Sequence, residues 1–196
     1  MMPSCNIFGT YKRAVFAFNK HEVRERCPAA KWEKRGVRVK LYIKQKVFSW
    51  PDRFTVKDGD GRDRYSVEGE LFSWGKKLHV YDRSGKEAAF IQQKTFRFMP
   101  TYSVYVNGLQ AAEIVKEFSF LSSRYSIEGP GWDVRGSIMG HEYEITQADR
   151  TIVTIHKEWM TWGDCYELDV AAPQDELIAL AVVLAIDCVI AASNNS

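Results

Sequence analysis

Between Leu41 and Val170 the chain is built from short runs of Val, Ile, Leu, Tyr, Phe and Trp, in which apolar and polar positions alternate. Turn-forming groups interrupt the runs: Asp58-Gly59-Asp60-Gly61, Ser84-Gly85, Asn107-Gly108, Gly129-Pro130-Gly131 and Ala148-Asp149. A period of two marks strands with one buried face, and Asp-Gly and Asn-Gly supply the positive φ of tight hairpins. Counting runs between these signals predicts about twelve strands, near 41–48, 53–58, 64–72, 77–82, 87–95, 101–106, 111–119, 123–128, 132–138, 142–147, 151–160 and 164–170. No helix is expected before Pro173.

Fixed spacings expose an internal repeat. Ile43, Ile91, Ile114 and Ile155 each open a copy. Two residues on stand Gln45, Gln93, Lys116 and Lys157; seven on, Trp50, Phe98, Leu121 and Trp162; eleven on, Phe54, Tyr102, Tyr125 and Tyr166; thirteen on, Val56, Val104, Ile127 and Leu168. The first and third copies lead into Tyr65-Ser-Val-Glu-Gly69 and Trp132-Asp-Val-Arg-Gly136, and a further hairpin leads into the second and fourth. The chain thus divides into two six-strand halves, roughly 41–110 and 111–170. Closure removes the edges that two separate sheets would leave, so an antiparallel barrel of about twelve strands is expected. Gln45, Gln93, Lys116 and Lys157 share the face of the inward isoleucine and are expected to make polar contacts around the barrel's contents.

The pattern changes after Pro173. Gln174, Asp175 and Glu176 precede Leu177 to Ala192, which is apolar on every face of a helix except at Asp187. Acids in a first turn suit the helix dipole, and a helix apolar all round must be surrounded. Its sixteen apolar-run residues fall short of the ~20 that span a bilayer, whereas a twelve-strand barrel is wide enough to need filling. A helix from Asp175 to about Ala192 is therefore expected inside the barrel, with a partner for Asp187, since a bare buried carboxylate is costly.

Composition narrows the function classes. The chain has 196 residues, 45% hydrophobic and 27% charged, which suits one folded domain or two small ones. Its net charge of +2 is uneven: residues 1–40 hold ten Lys/Arg against three Asp/Glu, leaving seventeen against twenty-two beyond them. The globular part is mildly acidic and poorly matched to nucleic acid, which calls for a strong basic excess. Residues 1–38, aperiodic and basic, read as an irregular extension dispensable for folding. They contain no continuous apolar stretch of signal-peptide type, so a cytoplasmic location is expected, peripheral to the inner membrane surface if lipid is bound.

Five segments carry a resemblance: Leu41-Tyr-Ile-Lys-Gln-Lys-Val-Phe-Ser-Trp50, Tyr65-Ser-Val-Glu-Gly-Glu-Leu71, Gly75-Lys-Lys-Leu-His-Val-Tyr-Asp82, Phe90-Ile-Gln-Gln-Lys94 and Leu184-Ala-Ile-Asp-Cys188. Over about residues 41–192 the chain resembles the LURP-one-related family of the Tubby C-terminal-like superfamily, which also holds the phospholipid scramblases. The resemblance implies a twelve-stranded barrel around a central hydrophobic helix, here residues 39–196, and membrane-associated or phosphoinositide-related roles without catalysis. Pro51 stands where that pattern has a small residue, so the first hairpin is expected to differ slightly.

Motifs for chemistry are sparse. Cys5, Cys27, Cys165 and Cys188 lack zinc or redox spacing. Asp58 to Asp63 departs from a calcium loop at Arg62 and Gly69 and reads as a hairpin turn. No nucleophile elbow or phosphate loop is present. His79, His141 and His156 fall on expected strands without a metal-binding pattern, although His141 adjoins Glu142. No enzyme activity, cofactor or metal is expected. Trp50, Trp74 and Trp162 fall near hairpin turns, where core packing competes with insertion at a membrane interface.

One basic cluster stands out. With Ile43, Phe54, Val56, Tyr65 and Val67 inward, Lys44, Lys57 and Arg64 align on the outer face, flanked by Lys46 and Arg53; Glu68 is expected to pair with Arg53. Such a row suits the headgroup of an acidic phospholipid or phosphoinositide, or is simply a solvated basic face. Three functions follow in order: recognition of a membrane surface or acidic headgroup, a regulatory scaffold for protein partners, and a carrier of a small apolar ligand.

Overall fold

The computed structural model describes residues 37–44, 53–70, 75–117, 124–160 and 163–194. Twelve antiparallel strands form one sheet: β1 (Val39–Lys44), β2 (Phe54–Asp58), β3 (Asp63–Gly69), β4 (Lys77–Tyr81), β5 (Glu87–Gln93), β6 (Thr101–Val106), β7 (Leu109–Glu117), β8 (Arg124–Glu128), β9 (Asp133–Ser137), β10 (Glu142–Gln147), β11 (Arg150–Met160) and β12 (Gly163–Val170). The expected strands are all present, and helix α1 runs Glu176–Asn194. A 3-10 turn at Ile138–Gly140 is a helical element that the alternation did not signal.

Each strand pairs with its sequence neighbour except β8 with β9; β1 pairs with β12, which leaves β8 and β9 as the ends of the sheet. A single bridge, Ile127 to Trp132, spans that gap across the Gly129-Pro130-Gly131 turn. The result is a nearly closed barrel. The β1–β12 pairing, from Val39 opposite Val170 to Lys44 opposite Cys165, brings together residues from the two ends of the duplicated region.

The repeat is explained by pairing register. Ile91 lies opposite Val104, Ile114 opposite Ile127 and Ile155 opposite Leu168, so each of these copies is one hairpin whose first and fourteenth residues face each other. Ile43 begins the fourth such hairpin, and all four isoleucines are essentially inaccessible. The polar positions of the repeat behave differently from the expectation. Gln93 accepts a hydrogen bond from the Lys76 backbone N–H, but Lys157 is exposed. Gln45 lies outside the described residues.

Helix α1 fills the interior. Residues Ala179 to Ile186 have no solvent exposure, nor do Cys188 and Val189, and they share one core with the inward side chains of the strands. The helix packs chiefly on β5, β6 and β7 and also touches β12. Fully burying one Leu, Ile or Val contributes about 1.5–3 kcal/mol, so this segment is a large part of what holds the barrel together. Among the described residues no helix is long and apolar enough to cross a membrane.

Antiparallel succession sorts the connections by end. Turns at 59–62, 82–86, 107–108, 129–132 and 148–149, together with the start of α1, lie at one end; the β1–β2, β3–β4, β5–β6, β7–β8, β9–β10 and β11–β12 connections lie at the other.

Candidate functional site

At the first end, polar side chains fix the helix. Glu176, in the first turn of α1 and 6% exposed, receives two hydrogen bonds from Arg64, Nε at 2.8 Å and Nη2 at 3.1 Å, and a third from the Tyr65 hydroxyl at 2.9 Å. Burial, then the Glu176 charge, raises the Tyr65 phenol well above its ordinary value and keeps it a donor. Arg150 lies 3.2 Å from Asp175 beside them. The clamp is architectural: it neutralises the acids that begin the helix.

Asp187, on the inward helix, finds the partner its burial demands. The Tyr166 hydroxyl donates to Oδ2, and Nε2 of His141 lies 3.3 Å from Oδ1. The His141 and Tyr166 rings stack with centroids 4.4 Å apart. Burial and the nearby carboxylate push the Tyr166 phenol far up, so its proton stays in the hydrogen bond. His141 takes a left-handed backbone, φ 53°, just after the 3-10 turn, which turns its ring into the barrel.

Most described members of the expected basic row are drawn into ion pairs. A β-bulge between Val56 and Lys57 alters the β2–β3 register, and Arg64 reaches the Glu176 clamp rather than the outer face. Lys57 pairs with Asp63 at 2.7 Å and Arg53 with Glu68 at 2.8 Å, the latter as expected. Lys44 is exposed at the end of β1, while Lys46 lies outside the described residues. Three of the four described cations are therefore compensated. The adjoining cleft, lined by Arg64 and Arg83 but also by Asp63 and Asp82, offers no net positive field. The Asp58 turn uses its carboxylate internally, accepting from the Asp60 and Arg62 backbone N–H groups and from Arg83. Those bonds, the one from Arg62 first, hold the Asp58 carboxyl below its ordinary range. This is turn chemistry.

The second end has a different surface. In the β5–β6 hairpin, Phe96 and Phe98 are 93% and 94% exposed and flank the exposed Arg97; Met139, in the β9–β10 connection at the same end, is 58% exposed. Phe96 has φ 63°, a conformation that bulky residues rarely adopt and that stores strain. Two aromatic rings are thus held in solvent on either side of a cation, on a strained tip. Lys94, below them, pairs with Glu113, whereas no ion-pair partner of Arg97 is found among the described residues. Trp50, Trp74 and Trp162 belong to connections outside the described residues.

The family model for LURP-one-related proteins matches residues 39–187. The chain belongs to the LURP-one-related family. It is 33% identical over 152 residues to "Uncharacterized protein YxjI" of Bacillus subtilis, covering 78% of this chain and 94% of that protein. An X-ray structure of a protein from Arabidopsis thaliana superposes with a TM-score of 0.53 at 13% identity, over 77% of this chain and 91% of that one. The likeness to the Arabidopsis protein concerns the fold. The matched span begins with β1 and ends within α1 at Asp187, so it takes in every strand and the buried carboxylate.

Sequence reading found Asp187 and the Arg53–Glu68 pair but not the Arg64 clamp, whose geometry depends on the bulge. It also missed a convergence on the outer face of β1, β12 and β11, where Tyr42, Glu167 and His156 stand side by side in register. The signal was present as His156-Lys-Glu158 and Cys165-Tyr-Glu167, two pairs with strand spacing on either side of one hairpin.

Proposed function

We propose that this LURP-one-related chain is a noncatalytic barrel that docks on a membrane surface, with the β5–β6 tip as its contact. The carrying observation is the Phe96-Arg97-Phe98 tip, in which two nearly fully exposed aromatic rings flank a cation. Exposed Phe rings can bury into the boundary between headgroups and acyl chains, and a neighbouring guanidinium adds attraction to anionic lipid that salt weakens. The superfamily resemblance to phospholipid scramblases and Tubby-like proteins points the same way. The specificity lies less in a headgroup pocket than in this tip, since the row at Lys44, Arg53, Lys57 and Arg64 is largely ion-paired.

Vesicle cosedimentation tests the reading, comparing phosphatidylcholine alone with mixtures containing phosphatidylserine or a phosphoinositide at low and high salt. Binding is expected only to anionic vesicles, weakening with salt, and falling at least tenfold, about 1.4 kcal/mol, in Phe96→Ser/Phe98→Ser and in Arg97→Glu. Lys44→Glu is expected to have the smaller effect. Equal sedimentation of the wild type and the double variant, or no sedimentation with any vesicle, overturns the proposal.

A further inference from the structure

Outward-facing side chains on a solvated sheet are normally exposed, yet Glu167 on β12 is 2% exposed and Tyr42 beside it on β1 is 8% exposed. The register that sets Tyr42 opposite Glu167 also sets Glu167 opposite His156 on β11, with Glu158 two residues further along the same face. Four functional side chains thus meet on one patch, and Lys40 reaches it from β1.

The two oxygens of Glu167 are used unequally. The Tyr42 hydroxyl donates to Oε2, and Lys40 Nζ also donates to Oε2 at 3.2 Å. Oε1 is buried and accepts no hydrogen bond; its one charged neighbour from β1 is the Lys40 ammonium, ion-paired with it at 2.9 Å. The Oε1 atom faces His156 Nε2 at 3.6 Å, and that nitrogen is 3.2 Å from Glu158 Oε1. All three ligand-type atoms lie within 4.8 Å of one another. Zinc bonds of ~2.0–2.1 Å in a tetrahedron place neighbouring donor atoms roughly 3.3–3.4 Å apart. The His156 contacts bracket that spacing.

We infer that His156, Glu158 and Glu167 form a binding site for a divalent transition metal of the zinc class. One imidazole nitrogen and two carboxylate oxygens favour zinc over calcium or magnesium, which take oxygen-only shells. Tyr42 is a positioning residue: its bond to Oε2 turns Oε1 toward the site, the second-shell role that holds ligating carboxylates in metal centres. Lys40 is the competitor. Its side chain is 50% exposed, so the ammonium can swing into solvent when a dication takes its place. Three protein ligands leave a fourth position open to water or to a partner's side chain. This inference is independent of the membrane reading, because the patch lies on the barrel wall and not at the β5–β6 tip.

The test uses the full chain without a histidine tag, stripped with chelator and titrated with zinc by calorimetry, and with cobalt by absorption. One zinc per chain is expected, with affinity falling roughly tenfold or more in His156→Ala and Glu158→Gln, as losses at metal sites typically do. Lys40→Met is expected to tighten binding several-fold by removing the competing charge. The cobalt spectrum should be that of a nitrogen and oxygen site without thiolate charge transfer. Circular dichroism of the half-exposed Glu158→Gln variant confirms that any loss is not unfolding. Absence of zinc binding, binding unchanged in His156→Ala, or a cobalt–thiolate band each overturns the inference.

Discussion

Leu184 tests whether the helix is the keystone of the barrel. It has no solvent exposure, its neighbours Val183 and Ala185 have none, and it belongs to the core formed with the inward strand residues. Truncating a buried Leu to Ala costs about 2.7–5.0 kcal/mol, more where the surroundings cannot collapse into the cavity. Collapse is restricted here because β5, β6 and β7, the strands on which the helix chiefly packs, are each paired on both sides. A loss of about 4 kcal/mol is therefore expected for Leu184→Ala. At ~2–4 °C per kcal/mol for a chain of this size, the midpoint of thermal unfolding should fall by roughly 8–16 °C. Leu184→Asp places an unpaired carboxylate in the same position and should abolish folding, while Leu109→Ala, at a residue 75% exposed, should change stability by less than ~0.5 kcal/mol. Denaturant and thermal unfolding of the three variants beside the wild type measure these effects. A loss below about 1.5 kcal/mol for Leu184→Ala, well under the usual cost of a rigid buried site, refutes the argument, as does a cooperatively folded, soluble chain ending at residue 172.

Three further outcomes follow from particular contacts. Burial acts to lower the His79 pKa, but hydrogen bonds to Glu87 and Glu70 outweigh it, so the folded value lies above the ordinary 6.5. Its stabilising contribution is thus complete below the unfolded pKa and lost as pH rises through the folded one; the stability gap between wild type and His79→Gln, measured by denaturant unfolding across that range, should narrow with rising pH, and a constant gap contradicts this. Gly136 has φ +111° and a Cβ there would lie 2.6 Å from the Glu142 carbonyl oxygen, whereas at Gly85, φ +80°, it meets nothing within 4 Å; Gly136→Ala should destabilise more than Gly85→Ala by ~1 kcal/mol or more, beyond the ~1–3 kcal/mol of backbone strain common to both. Arg64→Ala should cost about 2–4 kcal/mol in chemical denaturation, because it strips the buried Glu176 of its cation and leaves Tyr65 as its remaining hydrogen-bond donor among these partners; an unchanged midpoint would show that the clamp is unnecessary.

The architecture was legible because it is written in local signals. Period-two runs placed the strands, Asp-Gly and Asn-Gly placed several turns, and the four copies beginning at Ile43, Ile91, Ile114 and Ile155 exposed the duplication. Asp187 was recognisable as a buried carboxylate needing a partner, although Tyr166 and His141 as its partners depend on how β10 and β12 lie against the helix. Arg64 was misplaced because alternation counts residues as though register were unbroken, and the bulge after Val56 sends it over the rim. The Glu167 patch escaped for a different reason: a polar residue at an outward position predicts exposure, and Tyr42 and Glu167, 125 residues apart in sequence, meet only through the β1–β12 pairing.

The helix also bears on which kind of ligand the fold can accept. A carrier of a small apolar molecule would need the interior, but Ala179 to Ile186 occupy it without solvent exposure and pack against the inward faces of the strands. Admitting a ligand there means displacing side chains worth about 1.5–3 kcal/mol apiece from a domain whose whole stability is typically ~5–15 kcal/mol. Recognition is therefore cheaper on the outside, where the duplicated hairpins differ most from one another. Phe98 occupies the repeat position held by Trp50, Leu121 and Trp162 in the other copies, and only the β11–β12 copy carries His156, Glu158 and Glu167 across its hairpin. Duplication supplied a self-filling scaffold with its interior committed to stability, leaving divergence of the rims and outer faces as the route by which the copies acquire separate surfaces.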